Sequence, residues 1–298
     1  MSIQTFKDLA VTQLIRPMEL STTGAWLVRC NDGQKYVVKL FDGTSKSLSN
    51  EFLCHKIAKS MGLTIPDAAI IFITEDQVSV INNIRKGLDY FLISPGRYFG
   101  VKFVENSHIL NHEIHEKLEH SRIKNMHEVP GMIVFDLFVQ YLKRPYHNAL
   151  LHVLSEEQQI FEYVLIDHDQ CFGGRDWDAD SIRNFQPSLN LYNIPWKWNF
   201  FISVNPFKTY VEKLKNLDKG FFSGIIDEIP IEWKKNPEEY DVLCDVLQTR
   251  DADEILSLVK RHKRELIIFG LRKRFPPLHH FLAFIDICKG VIYKIKSS

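Results

Sequence analysis

A lysine stands inside the apolar run Tyr36-Val37-Val38-Lys39-Leu40-Phe41. The Asn31-Asp32-Gly33-Gln34 cluster before it is turn chemistry, so the run reads as the second strand of a hairpin whose first strand spans Trp26 to Cys30. An ammonium buried in such a strand is costly unless an acid meets it. The fold must therefore either bring a carboxylate to Lys39 or leave it at a strand edge. Glu51 lies twelve residues on. It opens a segment from Leu48 to Met61 in which Leu48, Phe52, Leu53, Ile57 and Met61 share a helical face, with Gly62 in the C-cap position. A strand lysine and a helix glutamate at this spacing can pair across a small lobe, and in phosphotransferases such a pair positions the α- and β-phosphates. An edge lysine beside an exposed glutamate would give the same spacing.

The rest of the chain divides in character. Ala68 to Ile73, Val78 to Ile84 and Tyr90 to Ile93 read as strands, which makes residues 1–100 a small β-rich lobe with one helix. Beyond residue 100 the pattern turns helical: Ile109 to Met126, Val129 to Leu142, Pro206 to Leu217, Gly220 to Glu228, Pro237 to Gln248, Ala252 to Ile268 and Pro277 to Ile292. One strand, Phe161 to Asp167, interrupts them. The expected class is α+β, with an N-terminal lobe (1–100) and a larger helical lobe (101–298).

Three further places carry candidate chemistry. Ser21-Thr22-Thr23-Gly24, a small polar turn before the first strand, offers amides and hydroxyls to phosphate, although most such turns are only turns. Asp167 ends an apolar strand, where a carboxylate faces the open end of a site; it also fits a turn-initiating Asp. Asn148, nineteen residues earlier, is an amide in a loop and a candidate second metal ligand. The order says more than any single piece: strand lysine, helix glutamate, loop asparagine, short strand, terminal aspartate.

Composition excludes some classes. The chain of 298 residues is 45% hydrophobic and 25% charged, as soluble globular proteins are. Met1 to Ala10 lacks the apolar core of a signal peptide, and no run of 18 apolar residues predicts a membrane span, so a cytoplasmic protein is expected. Cys30, Cys54, Cys171, Cys244 and Cys288 form no CxxC pair and read as reduced thiols. Net charge is zero, yet Leu258 to Ser298 holds ten Lys or Arg against Glu265 and Asp286, a net +8. That segment reads as a solvated face, with nucleic acid or an acidic partner as the sharper alternative. His108, His112 and His115 share a helical face; an exposed polar helix explains them without a metal. Trp196 and Trp198 read as core aromatics before base-stacking ones.

The runs Tyr36-Val37-Val38-Lys39-Leu40, Ser49-Asn50-Glu51-Phe52-Leu53 and Gly62-Leu63-Thr64-Ile65-Pro66 resemble the N-terminal lobe of HipA-like kinases. The resemblance continues through Phe135-Asp136-Leu137-Phe138-Val139, Asn148-Ala149-Leu150-Leu151, Leu165-Ile166-Asp167-His168-Asp169-Gln170-Cys171-Phe172 and Ile229-Pro230-Ile231-Glu232-Trp233, over about residues 10 to 265. It implies a bilobal protein-kinase-like fold that uses ATP and Mg to phosphorylate Ser or Thr of a protein target, in some members as a toxin. It implies Lys39 as the phosphate-binding lysine with Glu51 as its partner, and Asn148 and Asp167 as metal ligands. Ser21, Thr22, Thr23 and Gly24 would form the phosphate-covering loop. The chain departs from the family at one place. The usual loop Asn-x-Asp-Arg-x-x-x-Asn matches Tyr141-Leu142-Lys143-Arg144-Pro145-Tyr146-His147-Asn148, so Lys143 stands where the catalytic aspartate belongs. A protonated lysine cannot accept the substrate's proton, although it can stabilise a transferring phosphoryl group. Three readings stay open: a pseudokinase that binds nucleotide or protein, an enzyme in which Asp136 or Asp169 has taken over, or a different register of this loop.

Overall fold

The computed structural model describes residues 5–18, 24–41, 45–87, 91–141, 144–184 and 204–261. Its N-terminal lobe is a closed barrel built from β1 (Lys7–Pro17), β2 (Trp26–Cys30), β3 (Lys35–Val38), β4 (Ala68–Ile73) and β5 (Gly96–Lys102), in the order β1-β2-β3-β5-β4. Closure by the parallel β1–β4 pair leaves no free edge. The β2–β3 hairpin turns where the sequence places it. Gly33 takes φ +78°, and Asp32 Oδ1 accepts from the Gln34 amide at 3.0 Å.

Two helices serve this lobe. α1 (Ser47–Ser60) has every residue from Ser47 to Ala58 buried, so its polar face is as enclosed as its apolar one. That face is largely satisfied: Ser49 meets the Tyr240 hydroxyl at 2.7 Å, and Lys56 meets Glu228 at 2.7 Å. α2 (Glu75–Lys86) corrects the strand expected over Val78 to Ile84. The β-branched run looked like a strand, but Thr74 and Gln77 form a capping box, and Val78, Ile81 and Arg85 are buried at helical spacing. Residues 91–93, expected in a strand, lie outside any regular element.

The second lobe opens with β6 (Ser107–Ile109), α3 (His112–Lys117) and α4 (Val129–Phe138). β7 (Ala149–Ser155) and β8 (Ile160–Leu165) pair with β6 in a three-stranded sheet, β6-β7-β8. The continuous helix expected over Ile109 to Met126 is therefore a strand, a short helix and turns. α5 (Ala179–Arg183), α6 (Asn205–Lys215), α7 (Lys219–Asp227) and α8 (Pro237–Thr249) follow, and residues 252–261 are helical. α4 meets α6 closely: a Cβ on Gly131 would come within 2.4 Å of the Tyr210 ring, so only glycine fits. No helix among the described residues is long and apolar enough to cross a membrane. The architecture is bilobal, a β-barrel lobe joined to a helical lobe.

The lobes are tied at several points. Thr64 donates to Glu128 through its amide (2.6 Å) and hydroxyl (2.9 Å), and Arg97 forms a forked pair with Glu232 at 2.6 and 2.9 Å. α1 lies between them, touching both.

His55 on α1 makes acid stability measurable. Its Nε2–H donates to the Pro66 carbonyl at 2.7 Å, and Nδ1 is buried without a partner. Burial, with a smaller effect from Lys59, lowers its pKa to about 3. A depressed imidazole leaves the unfolded chain binding the extra proton, so its stability contribution is full above pH 6.5 and falls as the pH drops toward 3. Urea titrations should show His55 costing about 2 kcal/mol between pH 7 and pH 5. A His55→Gln variant should lose that part of the pH dependence; an identical slope in the variant would place the acid sensitivity elsewhere.

Candidate functional site

Lys39 follows β3 and is held by its own amide, which donates to the Phe99 carbonyl at 3.0 Å. The buried ammonium lies 3.3 Å from Glu51 Oε1 and 2.7 Å from Asp167 Oδ1. The strand and helix of the first lobe and the β8 end of the second thus converge on one nitrogen. Burial opposes the charge on Lys39, but the Asp167 and then the Glu51 carboxylate outweigh it and hold the lysine above its ordinary range. Burial pushes Glu51 up to about 7, against the pull of Lys39. Asp167 is half-buried, and Lys39 holds it below the usual carboxylate range against its partial desolvation.

The segment after β8 is shaped by backbone. Asp167 sits at φ +60° and Phe172 at φ +60°. Asn148 donates through Nδ2 to the Tyr141 hydroxyl and to the Asp167 carbonyl at 3.4 Å. Its Oδ1 is buried and has no hydrogen-bond partner among the described residues. An amide oxygen and a carboxylate on one cleft make the hard-oxygen donor set that magnesium takes, so the residues present fit that ion. The cleft holds about 390 Å³ and is lined by Gln140, Tyr141, Asn148, Asp167, Asp169 and Arg175 among others. A wider hollow of about 640 Å³, with Phe6, Lys59, Asp67, Lys102 and Phe221 in its walls, shares no residue with it.

Asp136 and Asp169 are the acids that the resemblance leaves as substitutes for the family's loop aspartate. Asp136 is closed to that role. Arg144 donates to it through Nε at 3.0 Å and Nη2 at 2.8 Å, while Arg144 Nη1 bonds to the carbonyls of Asn148 and Ile166. The pair braces the loop that holds Asn148 and Asp167. Asp169 does line the cleft; its carboxylate is paired with Arg175, and burial with the Asp167 charge raises it to about 6. Lys143 and Leu142 lie outside the described residues, as do Ser21, Thr22 and Thr23. Gly24 is described: it takes φ +68°, and its carbonyl accepts from Arg85 at 3.0 Å.

Other sequence candidates fall away from this centre. His108 is on β6, while His112 and His115 are on α3, so the three do not share one helical face. The helix there is exposed at His112, Glu113 and Lys117 as expected, but His115 is 3% exposed and its ring lies against Tyr146. Cys30, Cys54 and Cys171 are buried free thiols. Trp196, Trp198, Cys288 and the basic segment beyond residue 261 lie outside the described residues.

Sequence patterns missed two residues of the centre. Asn50 is fully buried and donates to the carbonyls of Asp169 (2.8 Å), Cys171 (3.1 Å) and Gly174 (2.9 Å), while Trp177 Nε1 donates to its Oδ1 at 2.8 Å. It fastens the Asp167 segment to α1, beside Glu51. Its partners are backbone groups over a hundred positions away, which no local pattern reveals. Gln140 ends α4, where the Tyr141 amide bonds to the Asp136 carbonyl at 2.7 Å and the Gln140 amide bonds to the Leu137 carbonyl at 3.4 Å. This is a Schellman turn, and it puts Gln140 at φ +59°. The helix expected to reach Leu142 stops here for that reason. No sequence signal marked this end, because it lacks the glycine that usually does.

Comparison with known proteins gives a family and a fold. A family model for HipA-like kinases matches residues 11–265. Among solved structures, the Helicobacter pylori proinflammatory kinase CtkA superposes with a TM-score of 0.52 at 14% identity, covering 88% of this chain and 99% of that one. The likeness is one of fold. The Golgi casein kinase gives 0.46 at 10% identity over 86% of this chain and 72% of its own. No curated protein matches the sequence.

Proposed function

The chain belongs to the HipA-like kinase family, and from that premise we propose that it is an ATP-dependent kinase that phosphorylates Ser or Thr of a protein partner. The observation that supports this most is the convergence of Lys39, Glu51 and Asp167, with Lys39 within 3.3 Å of both carboxylates. Lys39 would hold the α- and β-phosphates, and Glu51 would keep it in place. Gly24, with Ser21 to Thr23, would cover the phosphates. Asn148 Oδ1 and the Asp167 carboxylate would hold magnesium, which would neutralise phosphate charge. Asn50 and Arg144 keep these groups in register from either side of the cleft. With nucleotide bound, Lys39 would exchange part of its contact with Asp167 for phosphate, which would leave that carboxylate available to a metal.

A second reading is a nucleotide- or protein-binding module without transfer, favoured by the closed Asp136 and by the resemblance, which sets Lys143 where the family's loop acid stands. Transfer of radiolabelled γ-phosphate, to an acceptor protein or to the chain itself, separates the two. The kinase reading expects transfer by the wild type and less than about 1% of it from Asp167→Ala. A wild type that binds Mg-ATP and transfers nothing would leave the binding module.

A further inference from the structure

We propose that Gln140 orients the acceptor hydroxyl for phosphoryl transfer, taking the place of the absent loop acid; this rests on the kinase reading above. Gln140 lines the same cleft as Asn148 and Asp167. It is 1% exposed, and among the described residues neither its Nε2 nor its Oε1 has a hydrogen-bond partner. An amide buried with both ends unpaired is a standing cost to the fold, and such a group in a native protein calls for a role outside the folded chain's own contacts.

The backbone turn does not explain the side chain. A left-handed helix end is served best by glycine or asparagine. What glutamine adds there is length and two hydrogen-bonding ends. Nothing ties the amide down, so it turns toward a ligand without breaking a bond. Gly173 is its neighbour across the cleft: a Cβ there would lie 4.0 Å from Gln140 Oε1. The competing acids are engaged, Asp136 by Arg144 and Asp169 by Arg175.

The chemistry suits an amide. Phosphoryl transfer passes through a loose transition state in which positioning contributes more than base strength, and a glutamine performs this service for the attacking water in GTPases. Oε1 accepts the hydrogen bond from the acceptor O–H, which points the oxygen lone pair at the γ-phosphorus, and Nε2 donates to a γ-phosphoryl oxygen. The new O–P bond forms as the bond to the bridging oxygen breaks, ADP leaves with that electron pair, and the hydroxyl proton passes to a γ-phosphoryl oxygen. No protein base is required.

Gln140→Met tests this, because the side chain keeps its unbranched shape and loses both amide ends. The expected result has three parts. Phosphate transfer falls at least about 100-fold. Calorimetric affinity for Mg-ATP stays within about threefold. The melting temperature of the ligand-free protein holds or rises by about 2–4 °C, since unpaired polar atoms have been removed. Gln140→Ala must show the same loss of transfer with retained affinity, which covers a failure of the methionine variant to fold. Gln140→Glu, which keeps an acceptor oxygen, should retain transfer within about tenfold. Wild-type rates in Gln140→Met and Gln140→Ala would overturn the proposal while leaving the kinase reading intact. A loss of melting temperature and affinity together would make Gln140 a structural residue and overturn it too. A wild type without transfer would remove both this role and the kinase reading.

Discussion

Lys39→Met should weaken Mg-ATP binding by at least about 100-fold, close to 2.7 kcal/mol. The ammonium meets both Glu51 and Asp167, so its loss removes a phosphate ligand and leaves two carboxylates facing each other. The same variant has a signature in stability. Burial has already pushed Glu51 to about 7 with Lys39 present, and without that cation it must rise further. A carboxyl raised in this way takes up a proton on folding. Its stabilising contribution is full below the unfolded value of 4.5 and is lost as pH rises through the folded value. The gap in stability between Lys39→Met and the wild type should therefore be narrow at pH 5 and wide at pH 8, and urea titrations at the two values measure it. Adding Glu51→Gln should narrow the gap at pH 8. Nucleotide affinity within threefold of the wild type would remove Lys39 from the phosphate site.

Arg144→Met should cost about 3–5 kcal/mol of folding stability, the usual penalty for stranding one member of a buried ion pair. Arg144 is 2% exposed. Its removal leaves the Asp136 carboxylate without its 2.8 and 3.0 Å donors, and the carbonyls of Asn148 and Ile166 without theirs. The damage is not confined to stability, because those carbonyls flank the two proposed metal ligands; nucleotide affinity should fall with it. The double variant Asp136→Leu/Arg144→Met replaces both charges by apolar groups and should recover at least about 2 kcal/mol in urea titration. A single variant as stable as the wild type would mean that the pair does not brace the loop.

The parts of the site that could be read from sequence share a property: each is an ionisable or amide residue whose position contradicts its surroundings. Lys39 lies in an apolar strand, and Asp167 ends one. Glu51 was legible through its spacing from Lys39. What holds these groups in place was not legible, although the loop match already included Arg144. Asn50 and Arg144 act through carbonyls brought near by the fold, and Gln140 was hidden by a helix end that lacks glycine. The same division runs through the fold. α1 was found by its apolar face, but the burial of its polar face depends on Tyr240, Glu228 and Pro66, which arrive from other elements. β1 was missed because its alternation is confined to Leu9 and Val11, too short a run to mark an eleven-residue strand. α2 was misread because β-branched residues mimic a strand, although its Thr74–Gln77 cap was visible in the sequence.

The most direct measurement is calorimetric titration of ATP with and without magnesium, on the wild type and on Asp167→Asn. A nucleotide cleft built on Lys39, Glu51, Asn148 and Asp167 predicts binding by the wild type that requires magnesium and that Asp167→Asn loses. Absence of binding in the wild type, or binding indifferent to both the metal and the substitution, would contradict it.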